Sequence, residues 1–165
     1  MRISAEKEVL VLRFNNYKKW NFIEEHRKIL DEFGDVWILK GGRPITSKRI
    51  QEVMDGGEGI LILKEPKNDG GKYYMSSIIE VKTGKPHVDM KYPSYYDQMV
   101  DDYDCFAVES LTGTWIHIRK LINMNDADIS HFHLISNGKE LESVLASTRS
   151  SMLFVVSDSD LTIKE

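Results

Sequence analysis

The sequence has few of the features that would tie it to a membrane, a secretory route or a disulfide framework. Its 165 residues contain one cysteine, Cys105, which leaves no partner for an internal disulfide. No apolar run approaches the roughly 20 residues that cross a bilayer as a helix. Charges interrupt the N-terminal segment MRISAEKEVLVLRF, which also lacks the small-residue cleavage site of a signal peptide. We therefore expect a cytoplasmic protein without a membrane span.

Signatures of catalysis and of metal binding are also scarce. The chain has no HExxH motif and no pair of cysteines that could bind zinc. His131 and His133 are two residues apart, as ligands on one face of a strand can be, and with His117 they suggest a small metal-dependent hydrolase as a third functional class. Cys105 could act as a nucleophile with His117 as its base, but a single cysteine is commonly a small buried hydrophobe. We expect no cofactor, and an enzyme is the less favoured class.

The formal net charge of −4 is unevenly distributed along the chain. Residues 1–96 contain 17 Lys and Arg against 14 Asp and Glu, a net charge of +3, whereas residues 97–165 contain 5 against 12, a net charge of −7. This asymmetry permits a basic surface on a protein that is acidic overall, although folding can interleave the two halves. A nucleic-acid partner is therefore compatible with the composition.

Apolar periodicity and capping residues predict one α+β domain over residues 1–165. Asn21 and Gly34 fit the start and the end of one helix, and Thr46 or Ser47 would cap another. The predicted helices cover residues 22–33, 47–54 and 139–146. The predicted strands cover residues 8–14, 36–40, 59–63, 72–82, 106–109, 114–122 and 152–156, with 59–63 and 72–82 paired as a hairpin. Because hairpins follow two early strand–helix units, we expect a curled, barrel-like mixed sheet with helices packed outside.

One segment has no clear periodicity. Residues 83–104 contain two prolines and four tyrosines. A segment of this length inside a compact domain is typical of a functional loop or lid. Its tyrosine-rich part, residues 91–103, supports an alternative function as a protein-interaction domain, because tyrosine is enriched at interfaces.

Residues 35–49, DVWILKGGRPITSKR, concentrate residue types that recognise ligands. Trp37 offers an aromatic surface, Lys40 supplies a cation, and Gly41 and Gly42 let a ligand approach the backbone. The stretch contains no nucleophile with its base, so it indicates binding rather than catalysis. Tryptophan in a strand is, however, more often a packing residue than a pocket wall.

The order and spacing of these pieces resemble the pseudouridine-synthase-and-archaeosine-transglycosylase-like (PUA-like) superfamily, and within it the EVE branch, which is related to YTH domains. The resemblance spans most of the chain, and VWxxKxGR is its sharpest local motif. It rests on Trp20 and His26, GDVWILKGGRPIT, the strand pair GILIL and KYYMSSIIEV, and TWIHIRKLI followed by a helix and MLFVV. The ASCH branch is a poorer match, because its GxKxxExR signature needs a Glu that GGRPITSKR lacks.

The resemblance implies a small barrel whose aromatic pocket binds a modified base, for example a methylated one, extruded from DNA or RNA. Such a module has no catalysis of its own and can belong to a larger restriction or processing assembly. Trp37 and one of Tyr73 or Tyr74 would form the pocket wall. The contacts to the nucleic-acid backbone would come from Lys40, Gly41, Gly42, Arg43, Lys48 and Arg49, beside a helix N-terminus that itself favours anions.

Overall fold

The chain folds as an α+β arrangement around one large mixed sheet. The computed structural model describes residues 1–41, 43–102 and 113–165, with side chains for all of these except residues 100–102. The described strands are β1 (Arg2–Ile3), β2 (Val9–Arg13), β3 (Val36–Lys40), β4 (Gly59–Lys64), β5 (Tyr73–Gly84), β6 (Gly113–Met124), β7 (Phe132–Leu134), β8 (Met152–Ser157) and β9 (Leu161–Thr162). The described helices are α1 (Phe22–Phe33), α2 (Ser47–Met54), α3 (Tyr95–Asp102), α4 (Asp126–Ile129) and α5 (Leu141–Ser147). No helix in these residues is long and apolar enough to cross a membrane.

Seven strands form the large sheet in the order β3-β6-β5-β4-β2-β8-β7, and β1 pairs with β9 separately. Strands β2 and β4 are parallel, and the other neighbours are antiparallel, so the expected mixed sheet is confirmed. A closed barrel is wrong for the described residues, since none of their strand pairings joins β3 to β7. The edge of β3 that faces away from β6 forms hydrogen bonds to residues outside the sheet. The Trp37 N–H donates to the Lys91 carbonyl at 2.9 Å, and the Leu39 N–H donates to the Tyr96 hydroxyl at 3.3 Å.

Apolar side chains cover both faces of the sheet. In β2 the alternating side chains enter two different clusters, Val9 and Val11 in one and Leu10 and Leu12 in the other. The first cluster receives α4 and α5, and the second receives α1 and α2. Because both faces of β2 are buried, its sequence is a continuous apolar run rather than an alternation of apolar and polar residues.

The two early helices begin and end where their capping residues predict. The Asn21 side chain accepts from the Glu24 N–H, and Gly34 ends α1 at a φ of +83°, which glycine adopts without steric cost. Thr46, rather than Ser47, caps α2 by accepting from the Arg49 N–H. Both predicted helix ranges are confirmed. The hairpin of β4 and β5 is also confirmed.

The described part of the predicted loop, residues 83–102, contains regular secondary structure. Strand β5 continues to Gly84, and α3 follows the connection, with Tyr95 and Tyr96 each 3% exposed. Residues 103 and 104, Cys105 and the predicted strand at 106–109 lie outside the described residues. The helix was missed because its buried tyrosines pack on β3 and α1, which local periodicity does not report.

Candidate functional site

A cleft of about 510 Å³ opens where residues from the ends of β2 and β3 meet, and its volume is typical of small-ligand pockets. These strands are separated by three others in the sheet, so the curl of the sheet brings them together. Its wall contains both aromatic rings and polar groups. We call this site the aromatic cleft; its lining includes Phe14, Asn15, Asn16, Tyr17, Phe22, Lys40, Gly41, Tyr95 and Tyr96.

Three rings at the aromatic cleft are nearly parallel. The ring centroids of Tyr17 and Trp20 are 6.0 Å apart at an interplanar angle of 4°. The Tyr95 ring lies 6.3 Å from Tyr17 at 17° and 5.8 Å from Trp20 at 16°. Such separations belong to offset aromatic pairs. A flat ligand entering beside Tyr17 meets ring planes that are already aligned, which reduces the entropy lost on stacking.

Tyr17 and Trp20 are joined by a tight turn whose tip carries two lysines. The N–H of each ring residue donates to the carbonyl of the other, at 3.1 Å and 2.9 Å. Lys18 has a φ of +52°, a conformation that glycine reaches at less cost than lysine. The Lys18 ammonium lies 5.6 Å from the Tyr17 ring centroid, and the Lys19 ammonium lies 5.2 Å from that of Trp20. The turn therefore holds two cations beside the rings, one of them on a strained backbone.

A buried polar chain supports another wall of the aromatic cleft. His26 is fully buried; its Nδ1–H donates to the Phe22 carbonyl at 2.6 Å, and its Nε2 accepts from the Tyr96 hydroxyl at 2.7 Å. That hydroxyl accepts from the Leu39 N–H. Burial lowers the pKa of His26 to about 4, so the ring is neutral at pH 7 and a single tautomer makes both bonds. These contacts join α1, β3 and α3.

Lys40 lies at the end of β3 and holds the loop that follows. Its ammonium donates to the carbonyls of Gly41 at 3.2 Å and Arg43 at 3.1 Å, and burial lowers its pKa. Gly113 allows this loop to pass closely, because an added Cβ there would lie 2.4 Å from the Lys40 carbonyl oxygen. The loop is anchored further by the Ile45 N–H, which donates to Thr114 Oγ1 at 2.9 Å.

Trp37 packs against neighbours of its own chain instead of lining the aromatic cleft. It is 5% exposed, and its ring stacks on His117 with centroids 4.3 Å apart at 5°. The Lys82 ammonium lies 5.7 Å from the Trp37 ring centroid. His117 is itself held by Asp35 and, at 3.1 Å, by Glu80. The surroundings of Trp37 are those of a packing residue.

The other two pocket candidates lie apart from Trp37 and from each other. Tyr73 and Tyr74 are adjacent in β5, so their side chains point to opposite faces, and both are 6% exposed. Tyr73 packs in the cluster that contains α5, and Tyr74 packs in the cluster that contains α1. The expected meeting of Trp37 with one of these tyrosines in a single pocket does not form, because Trp37 belongs to a third cluster.

The residues predicted to contact the nucleic-acid backbone divide into two groups. Lys40 and Gly41 line the aromatic cleft, and Arg43 and Lys48 have exposed side chains. Gly42 lies outside the described residues.

Arg49, also predicted to contact the nucleic-acid backbone, interacts with several other residues of the chain. Its guanidinium pairs with Glu8 and, at 2.7 Å, with Glu52, and lies 4.5 Å from the Phe154 ring centroid. These contacts tie α2 to the sheet. Phosphate binding by Arg49 would have to compete with two carboxylates.

The three histidines of the hydrolase alternative do not converge in the described residues. His117 in β6 bonds to Asp35 and Glu80, whereas the Nδ1–H of His131, next to β7, donates to Asp158 Oδ1 at 2.9 Å. His133 lies in β7. The described part of the chain holds no group of three or more His, Cys, Asp or Glu side chains that could bind a metal ion.

Sequence reasoning missed the residues that build the aromatic cleft. Tyr17, Lys18 and Lys19 lie between the predicted strand at 8–14 and the predicted helix at 22–33, with no predicted role, and Tyr95 belongs to the tyrosine-rich segment predicted as an interaction surface. A usable signal was present in NNYKKW, where lysines stand between aromatic residues, a pattern typical of single-stranded nucleic-acid binding.

Comparisons of the chain with protein-family models, with curated proteins and with solved structures find no match.

Proposed function

We propose that this protein is a nucleic-acid recognition module that accepts an extruded base, modified for example by methylation, in the aromatic cleft. The observation that carries the proposal is the combination, at one cleft, of aligned aromatic rings with cations at its rim. An extruded base needs stacking surfaces and a few polar groups for its edge, while neighbouring phosphates need cations.

The stacking surface would be the partly exposed ring of Tyr17, which the buried Tyr95 ring supports at 6.3 Å. Base–aromatic stacking contributes about 1–3 kcal/mol per base. Asn15 and the backbone at Gly41 border the same space and can donate or accept hydrogen bonds at the edge of a base. Stacking by itself tolerates any base, so preference for a modified base would come from these edge contacts and from the fit of the added group.

The cations would be those of the turn at residues 17–20 and of the loop after β3. The side chains of Lys18, Lys19, Arg43 and Lys48 are all exposed. They come from the half of the chain that carries net positive charge, which allows local attraction of phosphates despite the overall charge of −4.

The test is titration with short single-stranded and duplex DNA and RNA, with and without 5-methylcytosine, 5-hydroxymethylcytosine or N6-methyladenine, followed by anisotropy of a labelled oligonucleotide. We expect tighter binding to one modified base and a loss of about tenfold in that affinity for Tyr17→Ala. Tyr17→Phe, which keeps the ring, is the matched control and should retain most of the affinity. Equally negligible binding to all oligonucleotides at low salt would refute the proposal.

The protein-interaction alternative has less support in the described residues. It requires an exposed tyrosine surface within residues 91–103, yet Tyr95 and Tyr96 are buried and contribute to the aromatic cleft. Tyr92 is partly buried, with its ring 5.6 Å from that of Tyr96, and Tyr103 lies outside the described residues.

A further inference from the structure

We propose that a second cleft binds an anionic group, and that in a nucleic-acid complex this group is a phosphodiester flanking the extruded base. The first part stands on the geometry of the cleft alone. The second part rests on the proposed function.

The second cleft, of about 580 Å³, lies between the β4–β5 connection and α5. We call it the charged cleft, and its polar lining includes Arg13, Lys64, Glu65, Lys67, Tyr73 and Glu142. Three of these side chains are cationic and two are anionic, so their charges sum to +1 at neutral pH.

The hydroxyl of Tyr73 is an unused donor in the charged cleft. Tyr73 is 6% exposed, and within the described part of the chain its hydroxyl makes no hydrogen bond. Burial raises the pKa of Tyr73 to about 12, so at neutral pH the group remains an O–H donor. No buried side-chain oxygen of the described residues lacks a partner, so this hydroxyl reaches solvent at the wall of the cleft, where a ligand can accept from it.

Two cations converge beside this hydroxyl. The Lys64 ammonium lies 4.3 Å from the Tyr73 ring centroid and donates to the Gly71 carbonyl. Burial lowers the pKa of Lys64, and the positive charge of Arg13 lowers it further. Like charges that are partly removed from water repel each other, and an anion between them relieves that repulsion.

The neighbouring acids do not remove this excess of donors. Glu65 is buried and accepts from the Lys72 N–H at 3.3 Å, so it serves the β4–β5 connection. Glu142 is exposed in the first turn of α5. Asp126, Glu142 and Glu65, in decreasing order of effect, all raise the pKa of Lys64 and thereby favour its charged form at neutral pH. Ammonium, guanidinium and phenol hydroxyl are all donors, so the ligand they can share is an anion with several acceptor oxygens, such as phosphate.

The charged cleft adjoins the aromatic cleft. Arg13, Phe14 and Asn15 line both, because the chain leaves β2 between them. The Arg13 guanidinium is fixed in this position by donating to the carbonyls of Thr148 at 2.7 Å and of Leu145. A strand whose base occupies the aromatic cleft would therefore have a flanking phosphate within reach of the charged cleft.

The anion site is tested first with inorganic phosphate at pH 7, followed by the NMR resonances of the Tyr73 ring and the Lys64 side chain. We expect saturable shifts in the wild type. They should be lost in Lys64→Met, which keeps the apolar stem over Tyr73, and weakened in Tyr73→Phe, which removes only the hydroxyl. Lys139→Met, at an exposed site outside the cleft, is the charge-matched control and should behave as wild type. Absent or non-saturable shifts in a folded wild type would overturn the anion site.

The flanking phosphodiester is tested with the preferred oligonucleotide carrying a neutral methylphosphonate on either side of the recognised base. We expect one of the two methylphosphonates to weaken binding by the wild-type protein about tenfold. The same methylphosphonate should have little effect on binding by Lys64→Met, because the methylphosphonate and the mutation each remove the same contact. If neither replacement weakens wild-type binding while base preference persists, the phosphodiester assignment is wrong and the proposed function stands. If inorganic phosphate binds as expected and no oligonucleotide does, the anion site stands and the proposed function fails.

Discussion

Residues 13–20 and residues 35–49 both combine aromatic rings with cations, but their side chains have different partners. In residues 35–49, Trp37 stacks on His117 and Arg49 pairs with two glutamates, so the chain itself supplies the partners. In residues 13–20, Tyr17 packs on Trp20 and Tyr95 yet is partly exposed at the aromatic cleft, and Lys18 is exposed beside it. Residue types alone indicate what chemistry a segment can perform, whereas the fold determines which of its side chains are enclosed by other residues and which stay accessible at the surface.

The position of each segment in the sheet accounts for this difference. Strand β3 lies between β6 and the segment that carries Lys91, and α1 packs nearby, so most of its side chains are covered. Residues 15–20 follow the end of β2 and lie outside the sheet, where Tyr17 and Trp20 close a tight turn and Asn15, Lys18 and Lys19 have exposed side chains. A turn at a strand end exposes groups that a strand interior would bury.

The largest expected effect comes from truncating the tryptophan of residues 35–49. Trp37→Ala should lower the free energy of unfolding by about 3–5 kcal/mol, because it opens a cavity beside His117 and Trp115. Tyr17→Ala should cost much less stability and should instead reduce ligand affinity. Urea unfolding of both variants, compared with oligonucleotide binding, measures the contrast. A Trp37→Ala protein of wild-type stability that loses base preference would break the comparison.

The next effect is a pH dependence of the wall behind the aromatic cleft. The pKa of His26 is lowered from 6.5 to about 4 by burial, so its contribution to stability is complete above pH 6.5 and is lost as the pH falls toward 4. We expect a loss of about 3 kcal/mol from this group over that range. Urea unfolding between pH 4 and 8 measures it, with His26→Gln as the non-titrating control. An equal pH slope in that variant would assign the loss to other groups.

The smallest expected effect is on stability at Lys18, in the turn at residues 17–20, where backbone strain and ligand binding can be measured separately. Lys18→Gly should raise the free energy of unfolding by roughly 0.5–1 kcal/mol, because glycine accepts the positive φ of +52° without strain. The same change should weaken nucleic-acid binding and reduce its salt dependence by about one phosphate contact. Thermal unfolding and salt titrations measure the two effects.

Lys18→Ala is the matched variant for that experiment, because it removes the charge and keeps the strain. It should weaken binding as Lys18→Gly does, without the gain in stability. Unchanged salt dependence in both variants would show that Lys18 contributes to the turn alone.

Local patterns predicted the early elements of the fold well. The observed ranges of α1, β3 and α2 equal the predicted ones. For the two helices the reason is local, because Asn21, Thr46 and Gly34 form their capping hydrogen bonds with residues within one turn. The later elements were predicted less well. Strand β7 is three residues long and is defined by pairing with β8, and α3 depends on Tyr95 and Tyr96 packing beneath it. Their stabilising contacts are with residues far away in sequence.

The sequence by itself determined the α+β class, the early helices with their caps and the central hairpin. These depend on periodicity, on capping groups and on residue type, all of which act locally. Only the tertiary structure decided that the sheet stays open, that Trp37 is packed, that Tyr73 and Tyr74 lie on opposite faces, and that Tyr17 meets Tyr95 at a cleft. The reason is that each of these outcomes depends on which residue, distant in sequence, packs against a given face of a strand or of an aromatic ring.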